Sequence, residues 1–515
     1  MREDTSALLI SVAALVASLA VAAVHAGPPG CDAPTHAGPL TPQPLLPDGG
    51  DAWRTTDAGV RVTTRRIPKV PGRTLRVSAT TLRVLPDGIY ALEGEDALTY
   101  YVRIEEAPAV SRPDAGPPPA PEPLVEEPTT SWSAHELESG LPRAGQWRNG
   151  FDVVDIDGDG DLEVIHGPAR KGARSPQIWR NDGTGHFTPW REAVIPPGPY
   201  DYGDAAAADF DGDGRTDLAL GIHLGGVVVL AQVAPGRFEL RTEGLPAPTR
   251  SGPAGFSSRA VAAGDWDGDG HPDLVALSDG PRPPGGEGPG VTTSAPGLQV
   301  FLSRGTRFTR LTTPQDLLFG DDVALGDVDG DGRADALAAS ARAGAADLLR
   351  LSRPDGTEVR TLPLPAPNTL VSAVTLVDLD GNGRLDALLG LQRARDAHWE
   401  HLLVTLRGPA DTQELRALPL PARITALAAR PTEGGAELAV ALEDGTLRMW
   451  RHHGSVLHPT LTLAPPAWRQ GCRPWHLAWA DVDGQPGAEL LASFAGEGGA
   501  GCPSGGGFEV WQLRR

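Results

Sequence analysis

Short apolar stretches alternate with polar, glycine-rich loops along most of this chain. One segment shows the pattern clearly: Arg259–Gly264 has the pattern of a strand, an acidic loop follows, and Asp273–Leu277 has the pattern of the returning strand. Two further short runs, Leu298–Leu302 and Arg307–Leu311, follow after turn signals. Because short apolar runs bounded by turn residues are typical of β-strands, this segment predicts four strands, the content of one β-propeller blade.

The same arrangement recurs along the chain and is marked by a nine-residue acidic loop. Five loops carry a carboxylate or amide at their first, third, fifth and ninth positions and glycine at their sixth; they begin at Asp155, Asp209, Asp265, Asp327 and Asp378. A weakened copy begins at Asp481, and residues 429–437 keep the apolar frame after losing the metal-loop acids. These starts define seven units and predict an all-β fold, a seven-bladed β-propeller of four-stranded blades.

The two ends of the repeat region predict how the ring closes. The last apolar run, Phe508–Leu513, matches the third strand of a blade, so unit seven lacks its fourth strand. Ser133–Leu141 resembles the fourth strand of unit two, Phe238–Leu245. We therefore predict that an N-terminal strand near residues 133–139 completes the last blade, which leaves no bare strand edge.

The region before the repeats predicts export. The apolar run Ala7–Val24 follows a short start with Arg2, so residues 1–26 are interpreted as a signal peptide or a retained membrane anchor, and lipid attachment at Cys31 stays open. Residues 27–106 are expected to be an N-terminal region with a small β-rich module or irregular structure, residues 107–130 a Pro-rich linker, and residues 131–515 the propeller. The protein is expected to be secreted or associated with a bacterial cell envelope.

Alternating carboxylates on a flexible loop suit calcium, which takes six to eight oxygen ligands and tolerates uneven geometry. The predicted ligands are side-chain oxygens at the first, third, fifth and ninth positions and a main-chain oxygen at the seventh. They are Asp155, Asp157, Asp159, Asp161, Glu163, Asp209, Asp211, Asp213, Arg215, Asp217, Asp265, Asp267, Asp269, His271, Asp273, Asp327, Asp329, Asp331, Arg333, Asp335, Asp378, Asp380, Asn382, Arg384 and Asp386. About five Ca²⁺ sites are expected; a further site at Asp481, Asp483 and Glu489 stays open, and unit six is expected to have none.

Two other interpretations of these loops are weaker. Asp-Gly pairs also mark ordinary hairpin turns, but five copies that each keep the ninth-position acid favour a metal site. An EF-hand needs a bidentate Glu at the twelfth position, where these loops hold other residues: His166, Leu220, Ala276, Ala338 and Leu389. Magnesium demands a stricter octahedron, and zinc favours His or Cys ligands.

The units resemble the FG-GAP or VCBS repeats of the integrin α-chain N-terminal β-propeller and its bacterial relatives, over about residues 131–515. Besides the acidic loops, Trp179–Phe187 is similar to that family's hairpin between third and fourth strands. The resemblance implies that the metal loops join first and second strands on one face, and that ligands meet the loops of the opposite face.

The loops of that opposite face carry aromatic and arginine residues of the kind that dominate binding interfaces. They are Trp147, Arg148, Tyr200, Tyr202, Phe256, Trp399, Trp468, Arg473 and Trp475; packing between blades is the alternative for any one of them. Cys472 and Cys502 fall in two loops of unit seven expected on the same face, and we predict a disulfide between them.

Charge and missing motifs narrow the function. A net charge of −21 argues against nucleic acid, which requires a basic face. The chain shows no nucleophile with its base and no phosphate-binding glycine motif, and His398 and His401 are interpreted as solvated loop residues. We therefore expect a binding or adhesion module for a protein or glycan partner, not an enzyme; the alternative is a lyase-like, polysaccharide-active enzyme on a propeller scaffold.

Overall fold

The computed structural model describes most of the chain from residue 132 onward and short stretches before it. The described residues are 53–55, 60–64, 77–85, 89–94, 99–106, 122–123, 125–126, 132–171, 174–223, 225–246, 256–279, 297–311, 319–339, 345–353, 356–364, 369–395, 398–408, 414–454, 456–496 and 501–514. The expected signal segment and Cys31 lie outside them. Among the described residues, no helix is long and apolar enough to cross a membrane. The chain divides into two compact units, residues 1–119 and 120–515.

The first unit contains one antiparallel sheet of five strands. Its spatial order is β1-β2-β5-β4-β3. The strands are β1 (Trp53–Thr55), β2 (Val60–Thr64), β3 (Val77–Leu85), β4 (Ile89–Gly94) and β5 (Thr99–Glu106). They lie within the region where the sequence analysis expected a small β-rich module or irregular structure.

The second unit is a seven-bladed β-propeller, which confirms the predicted fold class. Blades 1 to 4 are four-stranded antiparallel sheets. Their strands are β9 (Phe151–Val154), β10 (Glu163–His166), β11 (Gln177–Asn181) and β12 (Phe187–Pro189); β13 (Ala205–Ala208), β14 (Asp217–Ile222), β15 (Gly226–Ala234) and β16 (Arg237–Arg241); β17 (Ser258–Gly264), β18 (Asp273–Ser278), β19 (Leu298–Arg304) and β20 (Arg307–Leu311); and β21 (Val323–Gly326), β22 (Asp335–Ala338), β23 (Ala345–Arg353) and β24 (Gly356–Pro363).

Blades 5 to 7 follow the same plan and draw additional strands from the segment before the ring. Their strands are β25 (Thr369–Val377), β26 (Asp386–Arg395), β27 (His398–Arg407) and β28 (Glu414–Leu420); β29 (Ile424–Thr432), β30 (Gly435–Leu442), β31 (Leu447–His453) and β32 (Val456–Leu463); and β33 (Arg473–Ala480), β34 (Glu489–Ala495) and β35 (Gly506–Arg514), with a 3-10 turn at Ala467–Arg469. The first strands of neighbouring blades contact one another in a closed cycle, from β9 through β33 and back to β9.

The ring closes as the sequence predicted. Strand β8 (Ser133–Glu136) pairs antiparallel with β35, placing Trp511 opposite Glu136, and becomes the fourth strand of blade 7. Just before it, β6 (Glu122–Pro123) pairs in parallel with β28, and β7 (Val125–Glu126) pairs in parallel with β32. These short strands lie in the segment expected to be a linker, and they cover part of the outer edges of blades 5 and 6.

The core consists of apolar layers between blades. Each pair of neighbouring blades shares one cluster of buried residues, including the pair formed by blades 7 and 1. The second strands β14, β18 and β30 are buried along their whole length because both of their faces contact a neighbouring blade. Each blade has two apolar faces, and both are covered only when the blade has a neighbour on either side. The ring must therefore be closed, and β8 contributes by completing blade 7.

Blade 7 also contains the predicted disulfide. Cys472 and Cys502 are bonded, with their Cα atoms 4.8 Å apart, which confirms the pairing. Beside the bond, the buried guanidinium of Arg469 donates to Glu509 at 2.7 Å and to the carbonyl of Gly445 in blade 6 at 2.7 Å. Blade 7 is therefore held by a covalent bond and a buried ion pair, and the hydrogen bond from Arg469 to Gly445 connects it to blade 6.

Candidate metal loops and the opposite face

The five acidic loops join the first and second strands of blades 1 to 5, as the resemblance implied. Each loop is built on its first aspartate. In blade 1 the two carboxylate oxygens of Asp155 accept the N–H groups of Gly158 at 2.7 Å and Gly160 at 3.0 Å. Both glycines have a positive φ, 80° and 95°, which residues other than glycine rarely adopt. The first Asp and the two Gly of the Asp-x-Asp-Gly-x-Gly pattern are therefore needed to form the turn, apart from any role of the carboxylate charges.

The ninth-position acids have a second role that the sequence analysis missed. The buried carboxylate of Glu163 accepts the N–H of Ile156 at 3.1 Å and that of Asn181, on the third strand, at 3.3 Å. Asp217 accepts equivalent bonds from Phe210 and Gln232. Each of these side chains ties its loop to β11 or β15, and burial raises the pKa of Glu163 and of Asp217 to about 7.

Carboxylate oxygens converge in every one of the five loops. In each group, one oxygen from every member lies within 4.8 Å of the others. The groups are Asp155, Asp157, Asp159 and Glu163; Asp209, Asp211 and Asp217; Asp265, Asp267 and Asp269; Asp327, Asp329 and Asp335; and Asp378, Asp380 and Asp386. Clusters of this kind can hold metal ions.

The remaining predicted ligands lie around these groups. At the ninth position of the third loop, Asp273 accepts the N–H of Trp266 at 2.9 Å, and burial raises its pKa to about 6. The fifth-position side chains Asp213, Asp331 and Asn382 accept the N–H groups of the seventh-position residues. Those residues are Arg215, Arg333 and Arg384; Asp161 and His271 donate in the same way to Asp159 and Asp269.

The third-position acids test whether a cation fits. Asp211 and Asp267 each have a buried carboxylate oxygen without a hydrogen-bond partner. Burial raises the pKa of Asp157 and that of Asp211, in the latter case with the charges of Asp213 and Asp209 adding to the effect. A divalent cation would satisfy these oxygens and offset the crowding of like charges, so the donor set suits one.

Arginines from the third strands flank three of the clusters. Arg180 contacts Asp157 and lies 3.0 Å from Asp159, and Arg304 contacts Asp267 and lies 3.0 Å from Asp269. Arg407 contacts Asp380. The arginine side chains of these pairs are partly exposed to solvent, and their carboxylate partners are more buried.

Units six and seven differ from this pattern. In blade 6, β29 and β30 pair as far as Thr432 and Gly435, so a tight turn replaces the loop. The ninth-position acid is retained as buried Glu437, which pairs with Arg430 at 2.6 Å. In blade 7 the loop keeps the bonds from Gly484 to Asp481 and from Val482 to Glu489, each 3.0 Å, while Asp483 accepts from Gln512.

On the opposite face the structure separates the aromatic candidates. Trp147 and Phe256 are buried, and the former packs edge-on against Trp179 and contacts Phe508. Tyr200 is also buried and donates its hydroxyl proton to the carbonyl of Pro196 at 2.7 Å. For these three, packing between blades is the correct interpretation.

The other candidates stay at the surface or in the loops. Trp399 is 53% exposed, and the Arg143 guanidinium lies over the Trp468 ring. Arg148 and Arg473 lie 4.2 Å and 4.5 Å from the centre of the Trp475 ring, and Tyr202 stacks on His223. Arg473 and Trp475 line a cavity beside the first strands of blades 4 to 7.

Two residues that the sequence analysis missed, Asp204 and Asp322, also line that cavity. They are half-buried where β13 and β21 begin, and each accepts an N–H from the first strand of the next blade, Val261 and Val374 respectively. Burial raises the pKa of Asp322 to about 7 and that of Asp204 well above its ordinary value. Their only sequence signal is an acid directly before a first strand, which is also common in loops.

Comparison with known proteins agrees with this architecture. The family of FG-GAP-like repeats matches residues 155–220 and 327–389, which begin at the first and fourth acidic loops. The chain thus carries FG-GAP-like repeats, and with seven blades it fits an integrin α-like FG-GAP propeller. None of the curated proteins matches the sequence.

A solved structure shows a weak similarity. The crystal structure of BBS1N in complex with ARL6DN, soaked with mercury, includes a chain with 13% sequence identity and a TM-score of 0.45. The match covers 74% of this chain and 97% of that one. Similarity at this level carries no argument about function.

Proposed function

We propose that this FG-GAP-repeat propeller is an exported, calcium-binding module that binds a protein or glycan through the face opposite its acidic loops. The observation that carries the calcium assignment is the fivefold repetition of converging carboxylates on one rim of a closed ring. A single acidic turn is common, whereas five with the same backbone bonds and the same buried ninth acid indicate a shared ligand.

Calcium suits these loops better than other divalent cations. Every member of the five groups is an Asp or Glu, so the side-chain donors are all oxygen. Zinc is bound mostly by nitrogen and sulfur, and magnesium keeps several waters in a strict octahedron. When bound, the ion would be held by the first- and third-position carboxylates together with the ninth- or fifth-position one, and it would neutralise their mutual repulsion. The protein supplies a preformed turn through its glycines.

Export is supported by the disulfide and by the apolar N-terminal run. Disulfides persist in oxidising compartments, and the Cys472–Cys502 bond is buried within blade 7. Binding rather than catalysis is supported by the scaffold. The ring holds the loops of the opposite face on short strands, which presents them in a fixed arrangement suited to recognition.

Thermal unfolding of the full chain in EDTA and in millimolar CaCl₂ tests the metal assignment. Each site adds about 2.7 kcal/mol at a hundredfold excess of ligand over its Kd, so several sites should raise the melting temperature substantially, and more with calcium than with magnesium. Asp267→Asn with Asp269→Asn should reduce the response, whereas Glu433→Gln, in the tight turn of blade 6, should not. Equal melting temperatures in EDTA and calcium would exclude calcium as a structural ligand.

A glycan array and a pull-down of envelope proteins test the binding assignment. Both use the calcium-loaded chain beside the variant Arg473→Ala with Trp475→Ala. We expect this variant to keep its melting temperature and lose the partner. If the partner is instead lost by the folded Asp267→Asn, Asp269→Asn protein and kept by the face variant, the partner lies on the metal rim and the assigned face is wrong.

A further inference from the structure

A polar cavity opens at the centre of the face opposite the acidic loops. Its volume is about 370 Å³, and it runs beside the first strands of blades 6 and 7. At one end lie Asn149, Arg423, Arg473 and Trp475, all at or just before the start of a first strand. Cavities of this size hold small ligands or the end of a chain.

Asn149 is the feature of this cavity that the fold does not explain. It is 4% exposed, and neither its Nδ2 nor its Oδ1 atom has a hydrogen-bond partner. Its φ of 69° makes it the one non-glycine residue with positive φ in the described part of the chain. A buried, unsatisfied amide costs stability, and a strained backbone adds to that cost. Both are typical of positions kept for a ligand.

Two arginines share this end of the cavity with Asn149. The Nε atoms of Arg423 and Arg473 are buried and have no hydrogen-bond partner. Burial, together with the charges of Arg423 and Arg148, lowers the pKa of Arg473 to about 10, although Glu443 lies 3.5 Å from its guanidinium. The stack on Trp475 fixes the position of Arg473. Guanidinium groups held in this way bind oxyanions through paired N–H donors.

We propose that this mouth, defined by Asn149, Arg423 and Arg473, binds the carboxylate of a uronic acid at the end of a short oligosaccharide. The proposal rests on the ligand face of the proposed function and names its ligand class. The two arginines bind the carboxylate, and the Asn149 amide accepts from one ring hydroxyl and donates to another.

The surroundings favour a single negative charge on a hydroxyl-rich ligand. Asp204, Asp321 and Asp322 lie in the same lining, so a dianion such as a phosphate meets more repulsion than a carboxylate does. Deeper in, the lining combines small residues with the hydroxyls of Thr375 and Thr425 and with the larger side chains of Leu427, His476 and Trp479. Hydroxyl and imidazole groups can exchange hydrogen bonds with the hydroxyls of a sugar.

Isothermal titration of the calcium-loaded full chain tests the site with four probes. They are a glucuronate-terminated disaccharide, the matching neutral disaccharide, glucose 6-phosphate and a short acidic peptide. We expect saturable binding of the glucuronate probe at concentrations up to about 10 mM, and weaker or no binding of the others.

The variants separate recognition from folding. Asn149→Gly removes the amide but accepts a positive φ, so it should weaken binding about tenfold without lowering the melting temperature. Arg423→Met and Arg473→Met should each weaken it by about ten- to a hundredfold. Arg310→Met, at an exposed position on the outer strand of blade 3, is the control and should bind as the wild type does.

Several results would overturn the inference. No binding of the glucuronate probe to the wild type excludes the carboxylate site, as does tighter binding of the phosphate or the acidic peptide. Equal affinity in Asn149→Gly and the wild type excludes the amide. None of these results alters the calcium-dependent melting temperature, so failure of this site is distinguishable from failure of the proposed function.

Discussion

Blades 1 to 5 and blades 6 and 7 share one strand plan but are held together by different interactions. In the first group an acidic loop of nine residues joins the first two strands, and its buried ninth acid binds backbone N–H groups in blades 1, 2, 3 and 5. In blade 6 a tight turn and the Arg430–Glu437 pair occupy the same place. In blade 7 the disulfide and the Arg469–Glu509 pair add to a reduced acidic loop.

This comparison shows that the acidic loop is not required to form a blade. Blade 6 reaches the same four-stranded sheet with a two-residue turn, because its apolar strands pack on both neighbours regardless of the turn. Carboxylates that repel one another were therefore retained in five blades for another reason. The proposed metal binding is such a reason; where the acidic loop is reduced, blades 6 and 7 have ion pairs and a covalent bond.

Among the substitutions, the largest effect is expected from the buried pair of blade 7. Arg469→Met leaves the Glu509 carboxyl buried with no cationic partner, which should lower the free energy of unfolding by about 3–5 kcal/mol. The matched change in blade 1, Arg180→Met, removes a partly exposed guanidinium, and in calcium the proposed metal still offsets the charge of Asp157; the cost should therefore be no more than about 1 kcal/mol. Urea denaturation of both variants in calcium checks this. Similar losses of unfolding free energy in the two variants would contradict the difference between blades 1 to 5 and blades 6 and 7.

Loss of the disulfide should have the next largest effect. The bond joins residues 30 apart, so Cys472→Ala with Cys502→Ala should lower the free energy of unfolding by roughly 3–4 kcal/mol. The loss should be the same in EDTA and in calcium, since none of the five predicted metal loops lies in blade 7. A loss of unfolding free energy that doubles in EDTA would show that the disulfide and the acidic loops of blades 1 to 5 are coupled.

One metal loop should contribute to the free energy of unfolding about as much as the binding of one calcium ion does. Asp211→Asn removes the orphaned oxygen of the second cluster and should lower stability by about 2–3 kcal/mol in saturating calcium. In EDTA the same change should be neutral or stabilising because it relieves repulsion with Asp209 and Asp213. Thermal melts in both solutions give the sign; destabilisation of equal size in EDTA would contradict a metal role.

The links between blades predict a pH effect. Asp322 joins blades 4 and 5, whereas a neutral hydroxyl, that of Ser372, joins blades 5 and 6. Because the folded pKa of Asp322 is raised to about 7, its contribution is full below its ordinary pKa and is lost as pH rises through 7. Between pH 5 and 8 the free energy of unfolding of Asp322→Asn should therefore rise relative to that of the wild type by about 2 kcal/mol. Denaturation curves across this range check it; a constant difference would contradict the raised pKa.

The smallest effect should come from the added edge strands. A chain that starts at residue 127 loses β6 and β7, with two paired residues each, and should lose about 1 kcal/mol. A chain that starts at residue 143 also loses β8 and should no longer fold as a closed ring. Solubility and cooperative melting separate the two; equal behaviour would show that β8 does not close the propeller.

Much of the fold could be predicted because the acidic loop depends on contacts that are close in sequence. Its first aspartate and its glycines form one turn through hydrogen bonds within six residues, so the start of each repeat can be located from the sequence. Closure by β8 was also predictable, since its sequence resembles the fourth strand of blade 2. The roles of Trp147 and Phe256 were not, because whether an aromatic residue before a first strand points into the core or to solvent depends on the neighbouring blade.

The sequence by itself determined the seven units, their strands, the converging carboxylates and the disulfide, since each depends on contacts within one blade or on one repeated pattern. Only the tertiary structure brought Asn149, Arg423 and Arg473 to one cavity, although 324 residues separate the first from the last. The reason is geometric. A ring gathers the starts of all its first strands around one axis, so residues from blades 1, 6 and 7 become neighbours without any local signal that joins them.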